Sequence, residues 1–233
     1  MKALIEARQI SAGYGGVEIV RDLSLEVQAG EVVALLGANG AGKTTTLLTL
    51  AGELAPLGGE VLMDGERTTA PLHRRARKGL AFVTEERSIF PKLTTRQNLA
   101  VARADVDQAT ALFPELVPLM SRRSSLLSGG EAQMLTLSRA LARAPSLLLA
   151  DELSLGLAPK TVGRLLRAVR EAADRGIGAL LVEQHVHRVL EVADRVYLLQ
   201  QGRVRFAGTA ADARGSIDEI QATYLTAPAV ARQ

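Results

Sequence analysis

Short apolar runs alternate along the chain with longer segments of helical periodicity. Apolar runs of this kind are typical of strands buried on both faces of a parallel sheet, and intervening helices are typical of α/β folds. We therefore predict an α/β fold with a mostly parallel core sheet. Its predicted strands are Glu31–Leu36, Leu80–Val83, Leu147–Ala150 and Ala179–Val182, and its predicted helices are Lys43–Ala51, Pro159–Ala173 and one from about His185.

Three regions depart from this alternation. Leu4–Ile10 and Leu23–Val27 are predicted as strands of an antiparallel portion, and a β-hairpin is predicted around residues 201–202. Residues 95–143 have a mostly helical pattern, which predicts a helical insert within the α/β body. Because no internal repeat or long linker interrupts the chain, we predict one domain over residues 1–233, with a helical tail.

Composition argues against several classes of function. The chain carries 28 Lys and Arg against 25 Asp and Glu, and the local basic cluster His73–Lys78 is interpreted as a solvated helix face. With 3% aromatic residues and no Trp, a base-stacking nucleic-acid surface is not expected. The absence of Cys excludes disulfides. The start of the chain has no signal-peptide pattern, and no apolar stretch reaches the roughly 18 residues of a spanning helix, so we expect a cytoplasmic protein.

The clearest motif follows the predicted strand Glu31–Leu36. It reads G-A-N-G-A-G-K-T and matches the phosphate loop G-x-x-x-x-G-K-[ST], with a strand before it and a helix after it. Glycines let backbone N–H groups surround phosphate oxygens, Lys43 supplies a positive charge, and the Thr44 hydroxyl suits Mg²⁺. A plain glycine turn is the alternative, but the intact pattern disfavours it. The predicted nucleotide-binding residues are Gly37, Ala38, Asn39, Gly40, Ala41, Gly42, Lys43, Thr44 and Thr45.

Two acidic residues, Asp151 and Glu152, follow the apolar run Leu147–Ala150. Ligands of α/β sheets lie at the carboxyl ends of the strands. Mg²⁺ prefers oxygen ligands, so Asp151 is a candidate metal ligand, and Glu152 is placed to orient or deprotonate an attacking water. A strand that merely ends in solvated charges is common. The two acids therefore indicate a catalytic metal site only when a phosphate loop is also present.

A third motif, L-S-G-G-E, begins at Leu127. It has the pattern of a helix start, in which Ser128 caps the helix, Gly129 and Gly130 expose backbone N–H groups, and Glu131 lies in the first turn. Such an end can bind an anion, but an ordinary capped helix has the same pattern.

These three motifs in this order resemble the ABC ATPase family, and the resemblance covers essentially the whole chain. It implies a P-loop NTPase of ABC type that binds ATP and Mg²⁺, with an antiparallel β-subdomain and a helical subdomain at about 95–143. In that family two nucleotide domains pair head to tail, and each ATP lies between one phosphate loop and the partner's signature helix. The resemblance therefore implies that Ser128, Gly129, Gly130 and Glu131 contact the nucleotide of the other protomer. Tyr14 occupies the position where the family stacks a ring on adenine, although a simple turn tyrosine is the alternative.

The sequence departs from the common family pattern at three positions. Glu85 stands where a Gln usually senses Mg²⁺ and couples to membrane subunits, and a carboxylate can still ligate Mg²⁺. Gln184 matches the position of the catalytic switch histidine, and His185 follows one place later; either can serve as the switch, or His185 can be a polar residue at a helix start. Leu153 replaces a common proline, which should loosen the turn after the carboxylates.

Glu85, V-E-Q at residues 182–184 and S-L-G-L-A-P at residues 154–159 together resemble one subfamily. It is the smaller ATPase of branched-chain amino-acid uptake systems and their hydrophobic amino-acid, amide and urea relatives. Thr84, Glu86 and a shortened segment after Asn98 depart from it. The resemblance implies two membrane-spanning permease subunits, a second ATPase (a related paralogue or a second copy) paired head to tail, and an extracytoplasmic solute-binding protein that acts indirectly. It implies no nucleic-acid partner, and a peripheral position on the cytoplasmic face of the inner membrane.

Three rival functions stay open at this point. An exporter ATPase shares every ATP-site motif. A non-transport ABC ATPase acting on ribosomes or DNA usually has two fused nucleotide domains or a long coiled-coil insertion, which this sequence lacks. A binding module with a dead ATP site is disfavoured by intact Lys43, Thr44, Asp151 and Glu152, although Gln184 keeps it open.

Overall fold

The computed structural model describes residues 2–86, 88–183 and 186–215 and contains two β-sheets flanked by helices. Its strands are β1 (Ile5–Tyr14), β2 (Val17–Val27), β3 (Val32–Leu36), β4 (Gly58–Met63), β5 (Glu66–Arg67), β6 (Leu80–Val83), β7 (Leu147–Asp151), β8 (Gly178–Val182), β9 (Arg195–Gln200) and β10 (Arg203–Thr209). Its helices are α1 (Lys43–Ala51), α2 (Leu72–Arg77), α3 (Thr95–Val101), α4 (Val106–Leu112), α5 (Gly129–Leu141), α6 (Pro159–Asp174), α7 (Val186–Leu190) and α8 (Ala210–Gly215). Two 3₁₀ helices cover Pro114–Leu119 and Ser124–Leu126.

The larger sheet has the strand order β10-β9-β3-β8-β7-β6, and only the β9–β10 hairpin is antiparallel. Every residue of β3, β7 and β8 is buried, as expected for apolar strands covered on both faces. The predicted parallel core sheet and the predicted hairpin are therefore confirmed. Because β3, β6, β7 and β8 are parallel, their carboxyl ends lie at one edge of the sheet.

The second sheet is antiparallel and has the order β2-β1-β4-β5. The two predicted strands of this portion are present and extend further than predicted, to Tyr14 in β1 and back to Val17 in β2. Sequence reasoning missed β4, which begins with two glycines and a glutamate and buries only its last three residues. It also missed β5, which contains only two residues.

The core sheet separates two hydrophobic clusters. Alternate residues of β3 point to opposite sides, with Ala34 and Leu36 in one cluster and Val33 and Leu35 in the other. The first cluster also contains residues of the mostly helical segment between β6 and β7, among them the fully buried Phe113 at the end of α4. The second contains residues of β1, β2 and α1. The predicted helical segment over 95–143 is thus present and packs on one face of the sheet.

The interpretation of His73–Lys78 as a solvated helix face is wrong for one residue. The helix is present as α2, but Arg75 is only 2% exposed. Its guanidinium donates hydrogen bonds to the carbonyls of Ala70 (2.7 Å), Thr49 (3.2 Å) and Leu50. Thr49 and Leu50 belong to the last turn of α1, where carbonyls run short of partners within the helix, although the Thr49 carbonyl also accepts from the N–H of Gly52 at 3.2 Å. Arg75 therefore joins α2 to the end of the helix that follows the phosphate loop.

The last predicted elements lie near the limit of the described residues. The predicted helix near His185 is present as α7 from Val186, and the helical tail begins with α8. The rest of the tail, residues 216–233, lies outside the described residues. Among the helices that the structure does describe, none combines the length and the apolar character needed to cross a membrane.

Candidate nucleotide-binding site

The phosphate loop joins the buried strand β3 to helix α1, as the sequence predicts. Gly40 and Gly42 adopt left-handed backbone conformations, with φ of +78° and +104°. At Gly37 a Cβ atom would lie 2.4 Å from the carbonyl oxygen of Leu199, so no larger residue fits there. The path of the loop therefore depends on its glycines.

The turn between β9 and β10 supports this loop from the side. The N–H of Gly202 donates to the carbonyl of Ala41 at 3.0 Å, and the N–H of Arg21 donates to the carbonyl of Gly202 at 2.8 Å. A Cβ on Gly202 would lie 1.9 Å from the carbonyl oxygen of Ile19. The two sheets therefore meet at this glycine, directly beside the phosphate loop.

Lys43 lies inside the loop and is only 5% exposed. Its ammonium donates to the carbonyls of Gly37 at 2.7 Å and Ala38 at 3.1 Å. Burial lowers the pKa of Lys43, while the nearby carboxylates of Glu152, Asp151 and Glu183 act against that shift. A buried ammonium at the amino end of a helix is suited to an anionic phosphate group.

Asp151 lies at the carboxyl end of β7 and is 4% exposed. Burial raises the pKa of its carboxyl group, and the nearby hydroxyl of Thr44 opposes that rise. Among the described residues, the Oδ1 atom of Asp151 is buried and has no hydrogen-bond partner. A buried carboxylate oxygen without a partner, next to a hydroxyl at the phosphate loop, fits a hard cation such as Mg²⁺.

Glu152 and Glu85 flank Asp151 at the same edge of the sheet. The carboxylates of both residues act on Asp151 and raise its pKa, so the fold brings all three acids close together. Glu85 is exposed, whereas Glu152 is half-buried. Glu152 adopts a left-handed conformation with φ of +47°, and its N–H donates to the carbonyl of Val182 at 2.9 Å. The structure thus gathers Lys43, Thr44, Glu85, Asp151 and Glu152 at one place.

A further acid at this edge, Glu183, was missed by the sequence reasoning. Glu183 follows β8 and is 1% exposed. Its carboxylate accepts a hydrogen bond from the hydroxyl of Ser154. Burial raises its pKa to about 7. A signal was present, because an acid directly after an apolar parallel strand lies at the ligand-binding edge. The turn after the carboxylates is therefore fastened through Ser154, and the expectation that Leu153 loosens it relative to a proline stays a prediction.

The L-S-G-G-E motif begins helix α5, and Ser128 is its N-cap. The Ser128 hydroxyl accepts from the N–H of Glu131 at 3.3 Å, and the Glu131 carboxylate accepts from the N–H of Ser128 at 2.7 Å. A Cβ on Gly130 would lie 2.9 Å from the Thr161 side chain, so α5 and α6 approach closely there. The predicted cap is confirmed, while the role of Ser128, Gly129, Gly130 and Glu131 toward nucleotide stays a prediction.

Tyr14 lies at the end of β1 and is 48% exposed. It pairs with Val17 across the hairpin, and Val17 is 67% exposed. These two side chains form an exposed apolar pair on the β-sheet, which is compatible with packing against a planar ring.

The segment after β6 is held by two side chains that sequence reasoning did not single out. Asn98 is fully buried, accepts from the N–H of Phe90 at 2.8 Å and donates to its carbonyl at 3.0 Å. Arg139 of α5 donates to the carbonyl of Ser88, and its guanidinium carbon lies 5.4 Å from the centre of the Phe90 ring. Phe90 nevertheless remains 47% exposed. The helix that begins with the L-S-G-G-E motif is thus tied to the segment that carries Glu85.

The two candidate switch residues, Gln184 and His185, lie outside the described residues. Their neighbours are Glu183 on one side and Val186, the first residue of α7, on the other.

A glycine-rich loop between a buried parallel strand and a helix, beside a carboxylate at the end of a neighbouring strand, defines a P-loop nucleotide-binding protein. The family model described as ABC transporter matches residues 20–154. The high-affinity branched-chain amino acid transport ATP-binding protein BraG of Pseudomonas aeruginosa is 38% identical over 213 residues, covering 87% of this chain and 91% of that protein. The lipopolysaccharide export system ATP-binding protein LptB of Acidithiobacillus ferridurans is 34% identical over 220 residues, covering 90% of this chain and 91% of that protein.

The fold of this chain is also similar to that of a solved structure. A solved ATP-binding subunit of an ABC transporter is 27% identical, with a TM-score of 0.81, and covers 96% of this chain and 100% of its own. This chain therefore belongs to the ABC transporter family, as an ATP-binding subunit. It is an ATPase of the kind that works as a dimer with membrane permease partners.

Proposed function

We propose that this chain is the ATPase subunit that energises an importer of branched-chain or other hydrophobic amino acids. The observation that carries this proposal is the 38% identity to a branched-chain amino acid transport ATP-binding protein over 87% of the chain. The S-L-G-L-A-P stretch at residues 154–159 and Glu85 after β6 support the same subfamily. Amide and urea importers share these features and belong to the same proposal.

In the proposed mechanism, the phosphate loop binds ATP through its backbone N–H groups and Lys43. The Lys43 ammonium exchanges its bonds to the carbonyls of Gly37 and Ala38 for phosphate oxygens. Thr44 and Asp151 would hold Mg²⁺, with Glu85 as a further oxygen donor. When bound, Mg²⁺ neutralises charge on the β- and γ-phosphates.

Glu152 is the proposed catalytic base. Its backbone is fixed by the hydrogen bond to Val182, so its side chain starts from a defined point beside Asp151. From there the carboxylate orients or deprotonates the attacking water, and positioning and charge neutralisation supply most of the catalysis. Gln184 and His185 are proposed as switch residues toward the γ-phosphate.

The second half of each ATP site is proposed to come from another ATPase subunit. In a head-to-tail pair, Ser128, Gly129, Gly130 and Glu131 would contact the nucleotide bound by the partner's phosphate loop. The exposed Leu155 in the loop after the carboxylates supports a contact with that partner. The subfamily resemblance favours a related ATPase over a second copy, and Tyr14 would stack on the adenine ring.

Transmission to the membrane is proposed to pass through the segment after β6 and the helices that follow it. Glu85 lies at the nucleotide end of this segment, while Phe90 is exposed and held by Asn98 and Arg139. Closure of two ATPase subunits would move Phe90 and with it two membrane-spanning permease subunits. A solute-binding protein on the other side would deliver the solute, and this chain would sit on the cytoplasmic face of the inner membrane.

A second candidate function is the energising of lipopolysaccharide export. It is favoured by the similarity to LptB, which is 34% identical and covers slightly more of this chain, 90%, than BraG does. The ATP site itself serves both candidates equally, because the transported solute does not touch it.

The test is affinity purification of the tagged chain from detergent-solubilised native membranes, with identification of the proteins that co-purify. Recovery of two multi-span permeases and a second, related ATPase would support the importer. Uptake of radiolabelled leucine by the same membranes before detergent is added would then identify the solute class. Recovery of envelope-spanning export components with a homodimeric ATPase would support the second candidate. Recovery with ribosomes or DNA would contradict both.

A further inference from the structure

Glu183 is a buried carboxylate that the proposed mechanism does not use. It directly follows β8, yet its side chain reaches the turn after β7 and accepts a hydrogen bond there from the hydroxyl of Ser154. Ser154 is itself buried, at 4% exposure. The carboxylate thus joins two loops at the edge of the sheet that carries the ATP site.

The turn that Glu183 fastens is the one that presents Glu152. At Glu152 the chain leaves the strand in a left-handed conformation, which is unfavourable for a residue with a side chain and persists only when the surroundings enforce it. The N–H of Glu152 donates to the carbonyl of Val182, and two residues later the hydroxyl of Ser154 donates to the carboxylate of Glu183. The end of β8 thereby holds both ends of the 152–154 turn.

Fold stability alone does not account for a carboxylate at this place. Glu183 is buried close to Glu152, whose negative charge opposes ionisation of Glu183. Among the described residues, its Oε1 atom is buried without a hydrogen-bond partner. Buried charged groups that lack full compensation cluster at functional sites, where they hold other groups in position.

We infer that Glu183 is a positioning residue for the proposed catalytic Glu152: together with Ser154 it fastens the 152–154 turn and so fixes where the Glu152 side chain begins. This rests on the proposed role of Glu152 in hydrolysis. The same turn leads into the exposed Leu155, and Glu183 directly precedes the switch positions 184–185. One carboxylate therefore connects the base, the switch segment and the loop proposed to face the partner subunit.

The test compares steady-state ATP hydrolysis by the full chain with that of Glu183→Gln, Ser154→Ala and the double variant. Each single change weakens the same link, so we expect kcat to fall on the order of 10- to 100-fold in each. KM for ATP should stay within about threefold, because the phosphate loop is unchanged. The double variant should lose no more than about threefold beyond the more affected single variant, since both residues act as one unit.

Two further variants separate this inference from the proposed function. Glu171→Gln removes an exposed carboxylate on α6 and should keep wild-type kcat. Glu152→Gln shows whether Glu152 is the base at all, and near-normal turnover in it would remove the proposed mechanism regardless of Glu183. With Glu152 established, an unchanged kcat in Ser154→Ala, or losses that multiply in the double variant, would overturn the positioning role. Ser154→Ala removes a single oxygen, so it provides the test even if Glu183→Gln fails to fold.

Discussion

The hydroxyl of Thr44, in the first turn of α1, faces the carboxylate of Asp151 at the end of β7 and opposes the rise in the pKa of Asp151 that burial causes. This contact links the phosphate loop to strand β7, although the two residues lie far apart in sequence. It leaves the Oδ1 atom of Asp151 buried without a partner among the described residues. One hydroxyl oxygen and one carboxylate oxygen are thus brought together beside Lys43, where a Mg²⁺ ion bound to nucleotide phosphates would need them.

The metal role of Asp151 is tested with Asp151→Asn. The amide has the same shape and can still accept from Thr44, but it removes the negative charge that Mg²⁺ needs. We expect ATP affinity without Mg²⁺ to be unchanged or slightly higher, and the gain in affinity on adding Mg²⁺ to fall by about 10-fold or more. Equilibrium binding of ATP with and without Mg²⁺ measures both. The same Mg²⁺ dependence in Asp151→Asn and wild type would contradict the assignment.

The buried Arg75 provides a prediction about stability. Arg75→Met keeps much of the volume but removes the donors to the carbonyls of Ala70, Thr49 and Leu50. Leaving the carbonyls of Ala70 and Leu50 without this donor should lower the free energy of unfolding by about 2–3 kcal/mol. Arg74→Met, at the exposed neighbouring position, is the matched control and should change it by about 0.5 kcal/mol or less. Denaturant unfolding measures both, and equal effects would show that Arg75 does not bind the end of α1.

The raised pKa of Glu183 predicts a pH dependence of stability. Its pKa is raised from 4.5 to about 7, so the folded protein binds this proton more tightly than the unfolded chain does. The stabilisation of the folded state by this tighter proton binding is therefore fully present below pH 4.5 and is lost as the pH rises through about 7. Burial is the main cause of the raised pKa and the charge of Glu152 adds to it, whereas the hydrogen bond from the Ser154 hydroxyl lowers it.

The measurement is the free energy of unfolding at pH 5 and pH 8 in wild type and Glu183→Gln. Other groups titrate in both proteins, so the difference between the two isolates Glu183. Between pH 5 and pH 8 the free energy of unfolding should fall by on the order of 3 kcal/mol more in wild type than in the variant. An identical pH dependence in the two proteins would show that Glu183 titrates normally.

The sequence predicted the core sheet and the phosphate loop because both have local patterns. A fully apolar run such as Leu147–Ala150 is stable in an α/β fold as a strand buried on both faces. The loop glycines and Lys43 lie close together in sequence, so their pattern can be recognised locally. Strand β4 was missed because its first residues are Gly58, Gly59 and Glu60, which have low strand propensity and are paired only through tertiary contacts.

The missed site residues have in common that their partners are distant in sequence. Arg75 binds carbonyls about two dozen positions away, and its neighbours Arg74 and Arg77 have the same residue type, so no local pattern distinguishes it. Glu183 and Ser154 meet only because β7 and β8 are adjacent and parallel. Arg139 of α5 likewise donates to the carbonyl of Ser88, which is distant from it in sequence. Residue types identify such groups as candidates, but only the packing of the elements decides which of them meet.

The central claim, that this chain is an ATPase with Glu152 as its catalytic base, is tested most directly by ATP turnover and ATP binding in wild type and Glu152→Gln. We predict that the variant binds ATP with wild-type affinity or better, while turnover falls by at least about 100-fold. Near-normal turnover in Glu152→Gln, or loss of ATP binding together with turnover, would contradict the account.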